Sequence, residues 1–392
     1  MRHDIGANEP PGTRAPATSR PALRVMTLVD SISIGGGAER FAAEVTLRLD
    51  STRFERTICA TRPRTDESYL QKFAADGVRV IRLERRGKRD LLAWRPLIPE
   101  LRRTDVLHAH KFGSNVWGVL LGRMTGVPVI VAHEHTWSFQ GQPLRRALDR
   151  ELIARGSDAF LFVSREDRRR AHDIEHIDPS RTRYLPNGVP RLVPTGYDIR
   201  SELGIGVEAP VVVTVAALRP QKALHRLISA AAVWRQDHPG ITVLLVGGGA
   251  EYERLRLQAL AETLGVADVV RFLGRRGDVA DILAAADVTV CCSDYEGLPL
   301  SVMEYMGAGK AVVATAVGGV PDLIEDGVHG VLIEPGDDGA LVAAVDGLLR
   351  DEGWRARLGA AARARQESEF AIESVVNRIE DLYDELHAAR RR

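Results

Sequence analysis

Short apolar runs of about four to seven residues, each followed by an amphipathic stretch, recur along this chain and restrict it to an α/β architecture. In the first half, residues 23–29, 56–60, 78–83, 105–108, 128–132 and 159–163 read as buried strands. A second series covers residues 210–215, 241–246, 269–273, 288–292, 311–314 and 330–333. Apolar runs buried on both faces, with helical patterns between them, imply parallel sheets built by right-handed crossovers. At 392 residues the chain exceeds what one hydrophobic core usually holds, so two doubly wound domains are expected. The junction falls between Asn187 and Ala209, where Pro186-Asn187-Gly188-Val189-Pro190 is a turn signal. The expected layout is a disordered tail over 1–22, domains over 23–190 and 205–368, and a last helix within 369–392.

Composition narrows the class further. Apolar residues make up 45% and charged residues 27%, ordinary values for a soluble globular protein. No run approaches 18 uninterrupted apolar residues, so no transmembrane helix is expected. Residues 1–22 carry four prolines and no apolar core, which speaks against a secretory signal. Cys59, Cys291 and Cys292 make no disulfide framework, and a cytoplasmic protein is expected. With 53 basic and 53 acidic residues the net charge is zero, so nothing global calls for nucleic acid. Basic clusters at Arg85-Arg86-Gly87-Lys88-Arg89, Arg102-Arg103, Arg145-Arg146 and Arg165 to Arg170 fall in the first half. They read either as solvated helix faces or as a face attracted to anionic lipid.

Three places carry candidate chemistry. Glu296 and Glu304 lie eight residues apart, where an apolar strand runs through a loop into a helix. Open α/β sheets bind ligands at the carboxyl ends of their strands, and the free N–H groups of a helix start suit a diphosphate. Pro299 fits a first helical turn. The plainer reading is a helix-dipole charge plus a solvated glutamate. Ile34-Gly35-Gly36-Gly37-Ala38-Glu39-Arg40 follows the first strand, but Arg40 stands where a dinucleotide fingerprint needs glycine, which weakens a nicotinamide or flavin reading. Leu218-Arg219-Pro220-Gln221-Lys222 places two cations where another strand meets a helix and could neutralise a departing diphosphate. His108 and His110 alternate on one strand end, and His133 and His135 on another. With Glu134 they could suggest a metal site, but their spacing is not that of a compact ligand set, so no metal is expected.

The run from Ser293 to Thr315, continued by Val317-Gly318-Gly319-Val320-Pro321-Asp322-Leu323-Ile324, resembles the signature of the retaining glycosyltransferases of family 4. The glycine loop, the Arg219/Lys222 motif and the 186–190 linker resemble that family too, with Pro190 where an Asp is common, so the likeness spans roughly residues 23–390. It implies a GT-B fold, two Rossmann-like domains facing across a cleft, with the last helix crossing back to the first. It implies a nucleotide-sugar donor, a UDP- or GDP-sugar, and a glycan, lipid-linked or small-molecule acceptor. The work would be cell-envelope, exopolysaccharide or glycoconjugate synthesis, with no cofactor. By the same resemblance Glu296 contacts the donor sugar, Glu304 the ribose, Lys222 and Arg219 the diphosphate, and His135 (or His133) the sugar. Gly36, Gly37, Gly248, Gly297, Leu298, Pro299, Leu300 and Ser301 line the donor, with backbone near Arg271 and Leu273 meeting the base. The family's usual arginine falls on Ala217, a departure that assigns its role to Arg219. The departing phosphate itself would take the acceptor proton. No Asp-x-Asp motif lies near the glycines, so transfer is expected to need no metal. Two rivals share this fold: a sugar-nucleotide epimerase or hydrolase, and a catalytically weak nucleotide-sugar binding protein.

Overall fold

The computed structural model describes residues 21–33, 35–87, 90–136 and 142–392. Residues 1–20 of the expected tail, Ile34, Lys88, Arg89 and Trp137 lie outside them. Seven parallel strands form the first sheet: β1 (Leu23–Val29), β2 (Phe54–Ala60), β3 (Arg79–Arg82), β4 (Val106–His110), β5 (Val129–Glu134), β6 (Ala159–Phe162) and β7 (Thr182–Tyr184). Their spatial order is β3-β2-β1-β4-β5-β6-β7. The second sheet holds β8 (Val211–Val215), β9 (Thr242–Val246), β10 (Val270–Gly274), β11 (Val288–Cys291), β12 (Ala311–Thr315) and β13 (Val331–Ile333), ordered β10-β9-β8-β11-β12-β13. Both orders reverse direction once, at β1/β4 and at β8/β11, and that reversal opens a crevice at the carboxyl ends.

The central strands are apolar on both faces because helices cover both. Val211, Val213, Leu244 and Val312 pack on one side of the second sheet, and Val212, Val243, Leu245 and Val313 on the other. Cys291 and Cys292 join opposite sides and are free thiols.

Three departures from the sequence reading have physical causes. β7 is a three-residue edge strand with little apolar character, so no periodicity announces it. β4 and β5 each run two residues past the expected end, to His110 and Glu134, because their polar side chains are buried there. Pro299 caps the helix Leu300–Gly307 from an extended backbone instead of occupying its first turn.

The last helix, Ile372–Arg390, packs on the first sheet, with Ile372, Val375, Val376, Ile379 and Tyr383 joining Val25, Phe41 and Val131 in one core. Each such side chain contributes about 1.5–3 kcal/mol by burial, enough to anchor the chain end on the domain opposite the one it leaves. The two crossings between domains lie side by side. The Val189 N–H donates to the Phe370 carbonyl at 3.1 Å, and the Ile372 N–H donates to the Val189 carbonyl at 3.1 Å.

Candidate active site

Strand β11 ends at Cys291 and delivers Glu296 to the crevice, where the carboxylate is buried and held from two sides. Lys222 Nζ donates to its Oε1 at 2.5 Å and Ser293 Oγ to the same oxygen at 2.6 Å. Burial opposes the Lys222 ammonium, but Glu296 outweighs it and the lysine pKa is raised. Lys222 comes from a single helical turn, Pro220–Lys222, after β8, as the strand-to-helix reading expects. Beneath this pair, Thr214, Lys222, Cys291, Glu296 and Ser301 line a cavity of about 10 Å³, room for about one water. Glu304 lies one turn into the helix Leu300–Gly307 and is also buried. Its partner comes from the other domain: Arg40, on the helix Gly37–Arg48, reaches Oε1 at 2.6 Å. Glu39 of the same motif accepts from Lys111 Nζ at 2.7 Å. Lys111 has φ 71°, an uncommon conformation for a residue with a side chain, and occurs where β4 meets the next helix.

The domains touch at Gly297, where a β-carbon would lie 1.9 Å from the His135 carbonyl oxygen. Gly318, at φ 53°, and Gly319 clasp the same turn, with the Gly319 N–H donating to the Gly297 carbonyl at 2.7 Å. Asn187 Nδ2, from the interdomain linker, donates to the Leu298 carbonyl at 3.2 Å.

Most of the residues singled out by sequence converge on this crevice. Gly37 lies against Leu300 across the cleft, and Ser301 opens onto the small cavity. Gly36 caps the helix Gly37–Arg48 and lies against Glu39, while Leu298 and Leu300 are buried. Gly248 follows β9 and lies against Arg275. Arg219 is exposed beside the Lys222 turn, where its charge opposes that of Lys222. Arg271 does not enter the crevice by its side chain: its guanidinium donates to the Leu203 carbonyl near the opposite end of β10. Leu273 and Gly274 stand at the carboxyl end of β10, where its pairing with β9 shifts register. Sequence reading gave no role to Arg40, Ser293, Asn187 or Arg275. Arg275 is near both glycine loops, since a β-carbon at Gly248 would lie 2.8 Å from its Nε and one at Gly35 3.4 Å from its Nη2. No sequence signal links Arg275 to Gly35, whereas Arg40 and Ser293 stand inside motifs already quoted.

His135 follows β5 with its carbonyl on Gly297 and its ring on the His133 ring, centroids 4.4 Å apart. His133 is fully enclosed inside the first domain, whereas the backbone of His135 reaches Gly297 of the second. The four imidazoles form one stack, contrary to the expectation that their spacing is not that of a ligand set. The register pairs His110 with His133 on neighbouring strands, so two sequence-distant pairs become one cluster. Ring nitrogens of His108, His110 and His133 lie within 4.8 Å of one another. Burial pushes the pKa of His108, His110 and His135 well below the usual value and that of His133 down to about 3, so the rings are neutral. Glu134 points to the other face, toward Arg145 at 3.4 Å, and burial pushes its pKa up to about 7.

Two doubly wound domains that face each other across a cleft at their strands' carboxyl ends, tied by a returning C-terminal helix, constitute the GT-B architecture of glycosyltransferases. The structure of Anabaena Alr3699/HepE in complex with UDP and glucose superposes with a TM-score of 0.81 at 22% identity, over 93% of this chain and all of that one. Sucrose-phosphate synthase from Thermosynechococcus elongatus gives 0.76 at 22% identity, over 94% of this chain. Residues 35–191 match Glycosyltransferase Family 4, and residues 197–365 match Glycosyl transferases group 1. The D-inositol 3-phosphate glycosyltransferase of Thermomonospora curvata is 34% identical over 307 residues, 71% of each chain. That of Acidothermus cellulolyticus is 32% identical over 311 residues, 73% of this chain and 68% of its own. The chain belongs to the group 1 glycosyltransferases of family 4.

Proposed function

We propose that this enzyme moves a sugar from a UDP- or GDP-sugar to a glycan, lipid-linked or small-molecule acceptor with retention of configuration and without a metal on the diphosphate. The observation that carries this reading is the placement of Lys222, Glu296, Glu304 and the helix start at Leu300 around one crevice. The amides of Leu300, Ser301 and Val302 stand at the first turn, where N–H groups lack intrahelical partners and favour an anion. Lys222 is anchored on Glu296 beside them, so a diphosphate between the two meets fixed positive charge. Glu296 is clamped by Lys222 and Ser293, which suits a carboxylate that positions a sugar hydroxyl. A retaining hydrolase needs a second carboxylate about 5 Å away as nucleophile or acid, and Glu304 is instead paired with Arg40. The departing phosphate is then the base that takes the acceptor proton, and catalysis rests on positioning and leaving-group stabilisation.

The Anabaena protein's complex with UDP and glucose supports a uridine donor, and D-inositol 3-phosphate, for which the two relatives are named, belongs in the acceptor panel. The deciding experiment is a thermal-shift screen of UDP, GDP, ADP and their sugars, followed by turnover with and without acceptor. A ligand that binds only the native state raises apparent stability. Donor consumption that ignores the acceptor would favour the hydrolase or epimerase reading, and nucleotide binding without transfer the binding-protein reading that Ala217 suggests. Exposed Leu91 and Leu92 beside Arg85 and Arg86 support peripheral contact with anionic lipid on the cytoplasmic side. Among the described residues no helix is long and apolar enough to cross a membrane.

Glu304→Ala removes the carboxylate proposed to accept from ribose, and is expected to weaken UDP binding by about 1.5–3 kcal/mol, the range for hydrogen bonds to a charged group. Calorimetric titration checks it, and an unchanged Kd takes Glu304 out of the site. Glu296→Ala should leave that Kd nearly intact while lowering turnover. Turnover should also stay the same, within about twofold, whether millimolar magnesium or manganese is present or omitted, because Lys222 and backbone amides supply the charge. Strict dependence on either cation would overturn the metal-free reading.

A further inference from the structure

We propose that His108, His110 and His133 bind one divalent transition-metal ion of the zinc class, at the seam between the first sheet and the C-terminal helix. The three rings are fully buried, and their ring nitrogens lie within 4.8 Å of one another, so one ion is within reach of all three once the rings turn out of their stack. His108 Nε2 and His110 Nε2 are buried without a hydrogen-bond partner, and His133 has only the Leu185 backbone near a ring nitrogen. Unpartnered polar atoms in a core are costly.

The remaining nitrogens are already oriented in the manner of metal-ligating histidines, whose second ring nitrogen is fixed by an outer partner. His108 Nδ1 lies 2.7 Å from Tyr383 Oη, on the C-terminal helix, and His110 Nδ1 lies 3.0 Å from His135 Nε2. Each of these two rings keeps its Nε2 without a partner. Phe41 packs edge-on to the His110 and His133 rings, 6.3 and 5.8 Å between centroids, so the pocket is walled by apolar surface. The ligands are neutral imidazoles with no thiol or carboxylate among them, a set that suits zinc, copper or nickel better than magnesium or calcium. An ion here would bind β4 to β5 and, through Tyr383, both to the helix that returns from the second domain. It would also hold His110 against His135, whose backbone reaches Gly297. Because the cluster is enclosed, the ion would be acquired as the first domain folds.

The experiment is elemental analysis of the full-length chain produced with zinc supplementation and desalted, with His110→Leu and His133→Leu beside it. A His238→Gln variant serves as a distant control. The expected result is about one zinc per chain in the wild type and the control, and less than a tenth of that in the two cluster variants. Absence of stoichiometric metal from the wild type overturns the proposal, as does metal retained in both cluster variants. Should those variants fail to fold, the wild-type chain produced in cobalt-supplemented medium decides. Intense visible absorption of a low-coordinate nitrogen site supports the proposal, and a weak octahedral spectrum or no cobalt overturns it.

Discussion

Lys222→Ala is expected to lower turnover by on the order of a hundredfold or more, the usual loss when one preorganised charge-stabilising group is removed from a reacting centre. The lysine is half-buried and lines the same small cavity as Ser301 at the helix start, and its ammonium is fixed by Glu296 at 2.5 Å, so no reorganisation is needed when leaving-group charge develops. Removal also strands a buried carboxylate, and breaking one member of such a pair can cost about 3–5 kcal/mol of stability. Steady-state kinetics must therefore be read beside thermal unfolding of Lys222→Ala, assayed well below its unfolding temperature. Turnover lost while the chain stays folded identifies a chemical role. Arg219→Ala is the companion measurement: Arg219 is exposed at the same turn, where an ordinary surface arginine would cost within about 0.5 kcal/mol. A comparable fall in turnover shows that it closes on the diphosphate in place of the arginine missing at Ala217. Wild-type behaviour of Arg219→Ala leaves Lys222 as the single cation, and indifference to both substitutions removes the transferase mechanism proposed here.

The strands were legible because buried parallel strands are apolar without interruption, as at Val211–Val215 and Val288–Cys291. Their ends were not: the apolar runs stop at 108 and 132, two residues before His110 and Glu134, because burial of a histidine or glutamate leaves no hydrophobic mark. Within one motif the site could be read, since strand, loop and helix start follow each other and Glu296 and Glu304 fall where that geometry puts them. Across the cleft it could not. Arg40 meets Glu304 and His135 meets Gly297 only because two domains close on each other, and neither spacing nor charge in the sequence encodes that closure. The histidine stack failed for a related reason, since HxH repeats on β4 and β5 become one cluster only through the register that pairs His110 with His133.

Gly297→Ala is expected to lower kcat/KM by about a hundredfold, comparable to the cost of misplacing reacting groups by about 1 Å. The added β-carbon would lie 1.9 Å from the His135 carbonyl oxygen. That oxygen belongs to the backbone and cannot rotate away like a side chain. The Glu296-Gly297 turn is itself trapped from behind, because the Gly319 N–H donates to the Gly297 carbonyl at 2.7 Å. The cleft therefore has to open, and opening withdraws His135 and Arg40 from the second domain together. Both domains keep their own cores, so the unfolding temperature should move little, and nucleotide affinity, assigned by the mechanism proposed here to Lys222, Glu304 and the Leu300 helix start, should fall much less than turnover. Kinetics combined with UDP titration separates these effects. An alanine variant with wild-type kcat/KM would mean that the closed arrangement of His135 on Gly297 is not the one in which transfer occurs.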